Sequence, residues 1–484
     1  MPIPAALRRD TPAVRLALLI VVAFAARALT FGSPVVHVDE AFYLTVADAM
    51  RHGAIPYVDI WDRKPVGLFL LYWPAAIWGL PDSLYAYQAM AAAVVVATAW
   101  LVGRLAERAG WRAGAVPAAI FYILWLDLAD GQGGQTPVFY NLLTAGAAML
   151  VLRTDARGDR RFGVAAMLLV GCAMQIKYTA AFEGIGFALW LLWADWRRAH
   201  SVRTLIGHAA ALVFAALLPT AAAAIAYVLL GHGREFVFAN FVSILQRGKD
   251  SPALVHLLLR DAAEILSPLV LAVAGWGRRA GTNGERHTAL FLRAWLLVAL
   301  AAFIGFGGWY NHYTLPVMLP GATCAAALFE WRRRSRLWAT VPLALLFVAG
   351  QAVLRSERAR RGTAAEFDRL AAAVGHGPGG LFIYSGPVLL YPATGRPMPT
   401  RYIFPSHLEF WREAGSIGVD QAGEIERIFA TAPGAVVMGP PIADEEPAIR
   451  ALVLRELAHR GYRPLPPVKL GRDAVLVYRR SATS

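Results

Sequence analysis

Residues 37–65, HVDEAFYLTVADAMRHGAIPYVDIWDRKP, place four aspartates, one glutamate and one of the chain's four lysines between two long apolar stretches. Charged groups collected beside a membrane boundary are costly unless they are used, so this segment sets both the architecture and the chemistry to look for. It opens with Asp39-Glu40 and continues with Phe42, Val46 and Met50 at i, i+4 and i+8. That apolar stripe predicts a helix over 40–51 lying flat at the membrane surface. Asp39 falls at its start, where an aspartate also suits plain helix capping. Consecutive helical residues point about 100° apart. Asp39 and Glu40 therefore cannot both address one substrate atom, and one of the two is structural.

The rest of the chain agrees with a membrane setting. Of 484 residues, 57% are hydrophobic and only 17% charged, with a mean hydropathy of +0.47, which excludes a soluble enzyme. The formal charge of +14 comes from 43 arginines against four lysines, Lys64, Lys177, Lys249 and Lys469. It is not a nucleic-acid signal, because the arginines sit in short runs such as Arg160-Arg161 and Arg332-Arg333-Arg334 between apolar stretches, the pattern of cytoplasmic loops. Cys172 and Cys324 lie far apart inside apolar stretches and offer neither a disulfide framework nor a metal cluster.

Apolar windows near 14–32, 84–103, 114–128, 138–152, 162–176, 178–196, 205–230, 254–276, 290–308, 314–331 and 337–353 read as eleven transmembrane helices. The first follows Arg8-Arg9 and resembles a signal peptide, but its length predicts a retained span. The run 66–80 is short, contains Pro74 and reads as an interfacial or re-entrant helix. With that reading the loops near 1–15, 104–113, 153–161, 197–203, 278–293 and 332–336 share one side and hold 21 arginines, against about seven basic residues in the opposite short loops. The expected topology is a cell inner membrane protein with a cytoplasmic amino terminus and the loop 33–83 outside. From about residue 354 charges return, with 17 basic and 13 acidic side chains to the end. Strand-sized runs at 381–386, 435–440 and 474–480 alternate with helical patterns at 363–374, 421–432 and 444–460. The fold class is mainly α: a transmembrane catalytic domain over 1–353 with juxtamembrane helices in its first outer loop, then a small periplasmic α/β domain over 354–484.

Three stretches resemble the GT-C glycosyltransferases, in the bacterial branch similar to protein O-mannosyltransferases and the lipid A aminoarabinose transferase. They are His37-Val38-Asp39-Glu40-Ala41-Phe42-Tyr43 after the first span, Gly53 to Pro65 with Pro56-Tyr57-Val58-Asp59 and Trp61-Asp62-Arg63-Lys64-Pro65, and Trp309-Tyr310-Asn311-His312-Tyr313-Thr314-Leu315-Pro316. Val66 stands where family members commonly carry a second proline, and Arg63 where some carry an acidic residue. The resemblance implies transfer of a sugar from a polyprenyl phosphate to an acceptor hydroxyl, usually with inversion. Asp39 matches the family's catalytic aspartate, with Glu40 beside it. Lys64 matches its phosphate-binding lysine, and Arg247, in Gln246-Arg247-Gly248-Lys249-Asp250, matches a second phosphate-binding cation.

Other candidates rest on placement. Lys177, in a brief outer turn, is a third cation for the donor phosphate, although a snorkelling role suits it too. Asp62 and Tyr57 flank Lys64 as substrate-binding residues. Gln135, in the glycine-rich run 131–135, is a sugar contact, and His312 and Tyr313 are either a sugar-stacking pair or part of an interfacial aromatic belt. The expected partners are a polyprenyl-phosphate sugar donor, a lipid, glycan or protein acceptor and membrane lipids, with no nucleic acid. No cofactor is required, and the sequence gives no support for a divalent metal. A secondary transporter would carry inverted repeats and midplane charges, and a glycan polymerase or ligase would place its key residues in a large late loop. Neither accounts for Asp39-Glu40 directly after the first span.

Overall fold

A computed structural model describes residues 11–199, 201–277, 281–331 and 337–480. Arg8-Arg9 and the arginines at 278–279, 332–334 and 336, which entered the charge-asymmetry argument, lie outside them. The chain is mainly helical with one small sheet near its end. Each apolar window contains helix. α1 (Pro12–Arg27) covers the first, and the eighth is broken into Pro252–Leu266 and Leu269–Ala274 by Ser267-Pro268. Four stretches, Asp82–Arg108, Val202–Leu229, Asn283–Phe306 and Ala339–Val374, are long and apolar enough to cross a membrane.

The residues form two compact units interleaved in sequence. One comprises Met1–Leu29, Gln88–Ala222 and Leu257–Leu354; the other Thr30–Tyr87, Ala223–His256 and Arg355–Ser484. In the first unit the arginine-rich loops meet at one end. Arg15 pairs with Glu107, Arg112 with Glu285 at 3.8 Å and Arg198 with Asp155 at 3.0 Å. The Glu330 carboxylate accepts the Ala113 N–H at 2.5 Å. These contacts tie together the ends of helices whose loops were assigned to one side.

The second unit is built on a sheet of five strands: β1 (Leu381–Ser385), β2 (Ala435–Met438), β3 (Tyr462–Pro464), β4 (Val468–Leu470) and β5 (Asp473–Arg480). The order is β1-β2-β5-β3, with β4 also on β5. β1 and β2 are parallel, Leu381 opposite Ala435, and β2 and β5 antiparallel, Ala435 opposite Arg479. The crossover between the parallel pair carries the helix Gln421–Ala430, capped by the Asp420 carboxylate accepting the Gly423 N–H at 2.7 Å. β3 and β4, three residues each, were not anticipated.

The first loop joins this unit through α2 (Val38–Arg51), α3 (Val66–Ala76) and Trp61. Trp61 is buried in the same core as Phe382, Tyr402, Ile425 and Val436, and its backbone N–H donates to the Arg401 carbonyl at 2.9 Å. The expectation that this helix turns its apolar stripe to the membrane is therefore corrected. Residues 40–47 of α2 are all buried, and Phe42 packs edge-on against Phe69 and Phe404 with ring centroids 6.3 and 5.0 Å away. Its apolar stripe faces protein. At eleven residues, α3 is about 16 Å long, half a bilayer core.

Candidate active site

The amino end of α2 fixes Asp39. His37 is extended, and its Nδ1 accepts the Asp39 N–H at 3.1 Å, so the helix cap is the histidine and not the aspartate. The Asp39 carboxylate is left in the first turn with 15% of its side chain exposed and its Oδ1 3.8 Å from Lys64 Nζ. Glu40, one residue on, is fully buried where α2 packs on α3. The two carboxylates thus face different surroundings, as a 100° rotation requires.

The loop 53–65 presents Lys64. Tyr57 holds a φ of +70°, a costly conformation for a bulky side chain, and three contacts impose it. Its N–H donates to the Ile60 carbonyl at 2.6 Å, its hydroxyl donates to the Lys64 carbonyl at 2.8 Å, and its ring packs on Tyr227 with centroids 5.2 Å apart. Asp62, 3% exposed, accepts the Lys64 N–H through Oδ1 at 2.8 Å and faces the Lys64 ammonium through Oδ2 at 3.5 Å. The ammonium also lies 5.8, 5.3 and 5.4 Å from the ring centroids of Phe42, Tyr43 and Phe404. Burial alone would lower the Lys64 pKa, but Asp62 and then Asp39 outweigh it and raise it. Lys64 is a fixed cation.

The neighbouring cation points elsewhere. Arg63 donates to Glu413 Oε2 at 2.5 Å and to the hydroxyls of Ser243 and Ser416, each at 2.7 Å. Arg247 donates to the other Glu413 oxygen at 2.6 Å. Desolvation opposes ionisation of Glu413, yet Arg63 and Arg247 draw its carboxyl down to about 2. Behind Asp62 lies His407 Nε2 at 3.9 Å, in edge contact with Trp61. Burial pushes the His407 pKa down to about 4 against the pull of Asp62, so the ring is neutral at pH 7.

Of the residues singled out from the sequence, Asp39, Glu40, Tyr57, Asp62, Lys64 and Arg247 belong to this second unit. Asp39, Asp62 and Lys64 converge, with Tyr57 bracing the Lys64 backbone. Arg247 is engaged by Glu413. Lys177, Gln135, His312 and Tyr313 belong to the first unit. There the Lys177 ammonium lies 3.7 Å from the Tyr313 ring centroid, His312 packs on Tyr313 at 4.6 Å, and Gln135 is a buried residue heading the helix Thr136–Arg157. The sequence reading missed His407, Phe404 and Glu413, which come from the segment beyond 354 and carry no local signal of their partnership with the first loop.

One partly exposed carboxylate beside a fixed ammonium is a pairing that accepts a proton and stabilises an anion at neighbouring points. No protein-family model matches the chain. It is 25% identical over 307 residues to the undecaprenyl phosphate-alpha-4-amino-4-deoxy-L-arabinose arabinosyl transferase of Pseudomonas aeruginosa (strain UCBPP-PA14), a match of 58% of this chain and 53% of the relative. The chain thus spans about half the length of that curated relative. Among solved structures it is similar to ArnT from Cupriavidus metallidurans bound to undecaprenyl phosphate, with a TM-score of 0.62, 14% identity, and 96% of this chain and 97% of that one covered. The oligosaccharyltransferase of Archaeoglobus fulgidus in its apo form gives 0.52 and 13%, over 98% of this chain and 74% of that one. The chain has the GT-C fold.

Proposed function

We propose that this chain is an integral membrane glycosyltransferase that moves a sugar from a polyprenyl-phosphate donor to a hydroxyl of a lipid, glycan or protein acceptor on the outer face of the membrane. The observation that carries the reading is the Asp39–Lys64–Asp62 constellation, with the capping duty of Asp39 taken over by His37. The fold shared with an ArnT structure bound to undecaprenyl phosphate supports the donor class. In this reading the chain crosses the inner membrane eleven times, its amino terminus is cytoplasmic, and residues 354–484 form a periplasmic domain.

The chemistry follows from the pair. The acceptor oxygen attacks the anomeric carbon, its proton passes to the Asp39 carboxylate, and the bond from that carbon to the phosphate oxygen breaks with its electron pair going to the phosphate. The departing lipid phosphate gains negative charge, which Lys64 neutralises. Arg247 is the second cation of the donor site in this scheme. Lys64 also couples the steps. Before the donor arrives its ammonium faces Asp39; once a phosphate shares that ammonium, Asp39 loses part of its counter-charge and becomes a stronger base. Glu40 is structural in this scheme, and Asp62 orients Lys64.

The test is a reconstituted assay with a polyprenyl-phosphate sugar beside the matching nucleotide sugar. Asp39→Asn abolishes transfer in a folded, inserted protein, and Glu40→Gln is milder. Lys64→Ala lowers turnover by roughly 10²-fold or more, and Lys64→Arg recovers little, since a planar guanidinium does not replace a compact ammonium. Near-normal product from Asp39→Asn, or turnover with the nucleotide sugar alone, overturns the proposal.

A further inference from the structure

At the arginine-rich end of the first unit, two cavities of about 590 and 380 Å³ share Arg108 and Ala156 in their walls. The larger is lined by Arg108, Arg197, Arg198, Asp155, His287 and Trp193. The smaller adds Arg153 and Arg157 beside the apolar Met149 and Leu150. Five arginines thus face a space that contains one carboxylate, and that carboxylate is already in use. Asp155 accepts from Arg198 at 3.0 Å, from Trp190 Nε1 at 3.3 Å, and from His287.

The remaining guanidiniums are held in place without an acid. Arg153 and Arg157 lie over the Phe162 ring at 4.0 and 5.9 Å, and Arg197 over Trp193 at 4.9 Å. Among the described residues none of these three has a carboxylate partner. Arg108 donates to the Leu152 carbonyl at 2.9 Å. A guanidinium that rests on a ring instead of a carboxylate keeps its N–H groups available for bidentate capture of a phosphate. Arg153, Arg157, Arg197 and Arg198 are exposed, and they line the two hollows that meet at Arg108 and Ala156.

We infer that these cavities bind the phosphate headgroup of an anionic membrane lipid, through residues to which the proposed transfer assigns no role. A lipid is favoured over a dissolved anion by the surroundings. Trp193 and Trp196 are 40% and 43% exposed beside Arg197 and Arg198, as amphipathic rings are at a headgroup level, and the walls mix arginine with Leu152, Met149 and Leu150. Basic pockets between membrane helices take up anionic headgroups in this way.

The test counts lipids retained by the full chain, released from nanodiscs of phosphatidylcholine with a minor share of phosphatidylglycerol, in native mass spectrometry. The wild type is expected to retain phosphatidylglycerol about tenfold over its share. The triple variant Arg153→Gln/Arg157→Gln/Arg197→Gln, changed only at exposed side chains, loses that preference. A control of equal charge change, Arg260→Gln/Arg455→Gln/Arg463→Gln, keeps it. Equal loss in both variants would reduce the effect to net charge and overturn the site. Titration with inorganic phosphate that saturates the wild type without any lipid preference would make it a free-anion site and overturn the lipid assignment, as would retention in proportion to lipid supply.

Discussion

Replacing Glu413 by Gln tests the electrostatic anchor of the first loop. The Glu413 side chain is 2% exposed and bridges Arg63 at 2.5 Å and Arg247 at 2.6 Å. Its carboxyl is drawn from 4.5 to about 2 in the folded protein, against desolvation, by Arg63 and then Arg247. At about 1.4 kcal/mol per pH unit, the fold favours the ionised group by roughly 3 kcal/mol. Removing one partner of a buried ion pair costs about 3–5 kcal/mol on independent grounds. The two routes agree, and a neutral amide of the same shape should lose most of this. A folded pKa below the unfolded one contributes stability that is present above about pH 4.5 and lost as pH falls towards 2. Hydrogen exchange of the amides in 411–418 and 240–247 reads the effect locally. At pH 7, Glu413→Gln should exchange there about 10²-fold faster than wild type, a ratio that shrinks progressively below pH 4.5. A ratio within a few-fold at pH 7, or one unchanged at pH 3, would mean that Glu413 does not anchor Arg63 and Arg247 as an anion, and the reasoning would fall.

Tyr57→Phe removes the hydroxyl that donates to the Lys64 carbonyl at 2.8 Å; one such bond is worth about 1 kcal/mol, so the donor KM should rise about fivefold in steady-state assays with the fold intact. Burial first, and Glu445 second, push the Glu409 carboxyl up to about 8, so the stability associated with its neutral form is fully present below about pH 4.5 and gone once pH passes 8. Thermal melts at pH 6 and pH 8.5 should therefore differ in the wild type and converge in Glu409→Gln. Gly32 has a φ of +74°, and a Cβ there would meet the Tyr85 ring at 2.5 Å; Gly32→Ala should lower the melting temperature, whereas Gly53→Ala, with open space around it, should cost only backbone strain.

Helices were the legible part of the fold, for a plain reason: a bilayer demands long apolar runs, and such runs stand out in a chain with 17% charged residues. The break at Ser267-Pro268 was not marked, though Pro268 heads the helix Leu269–Ala274 and proline commonly ends the helix before it. β3 and β4 were illegible because three residues cannot display a period of two convincingly. The stripe Phe42, Val46 and Met50 was read correctly as one face of a helix and wrongly as a membrane-facing one. An apolar stripe specifies that it must be covered, and lipid or protein satisfies it equally.

The site divides along the same line. The convergence of Asp39, Asp62 and Lys64 was recoverable because their spacing within one loop limits how far apart they can fold. Which of two adjacent cations stands beside Asp39 was not recoverable from spacing. Arg63 and Lys64 are consecutive and alternate sides, and the choice is made by partners more than 300 residues away: Glu413 and Ser416 take Arg63, while Phe404 covers Lys64. A guanidinium satisfies several acceptors at once, and Arg63 meets a carboxylate and two hydroxyls. The Lys64 ammonium, a compact charge, faces two carboxylates instead, Asp62 at 3.5 Å and Asp39 at 3.8 Å. Exchanging the pair, with Lys at 63 and Arg at 64, would leave the loop's charge unchanged while spoiling both arrangements, so composition alone can never say which cation stands beside Asp39.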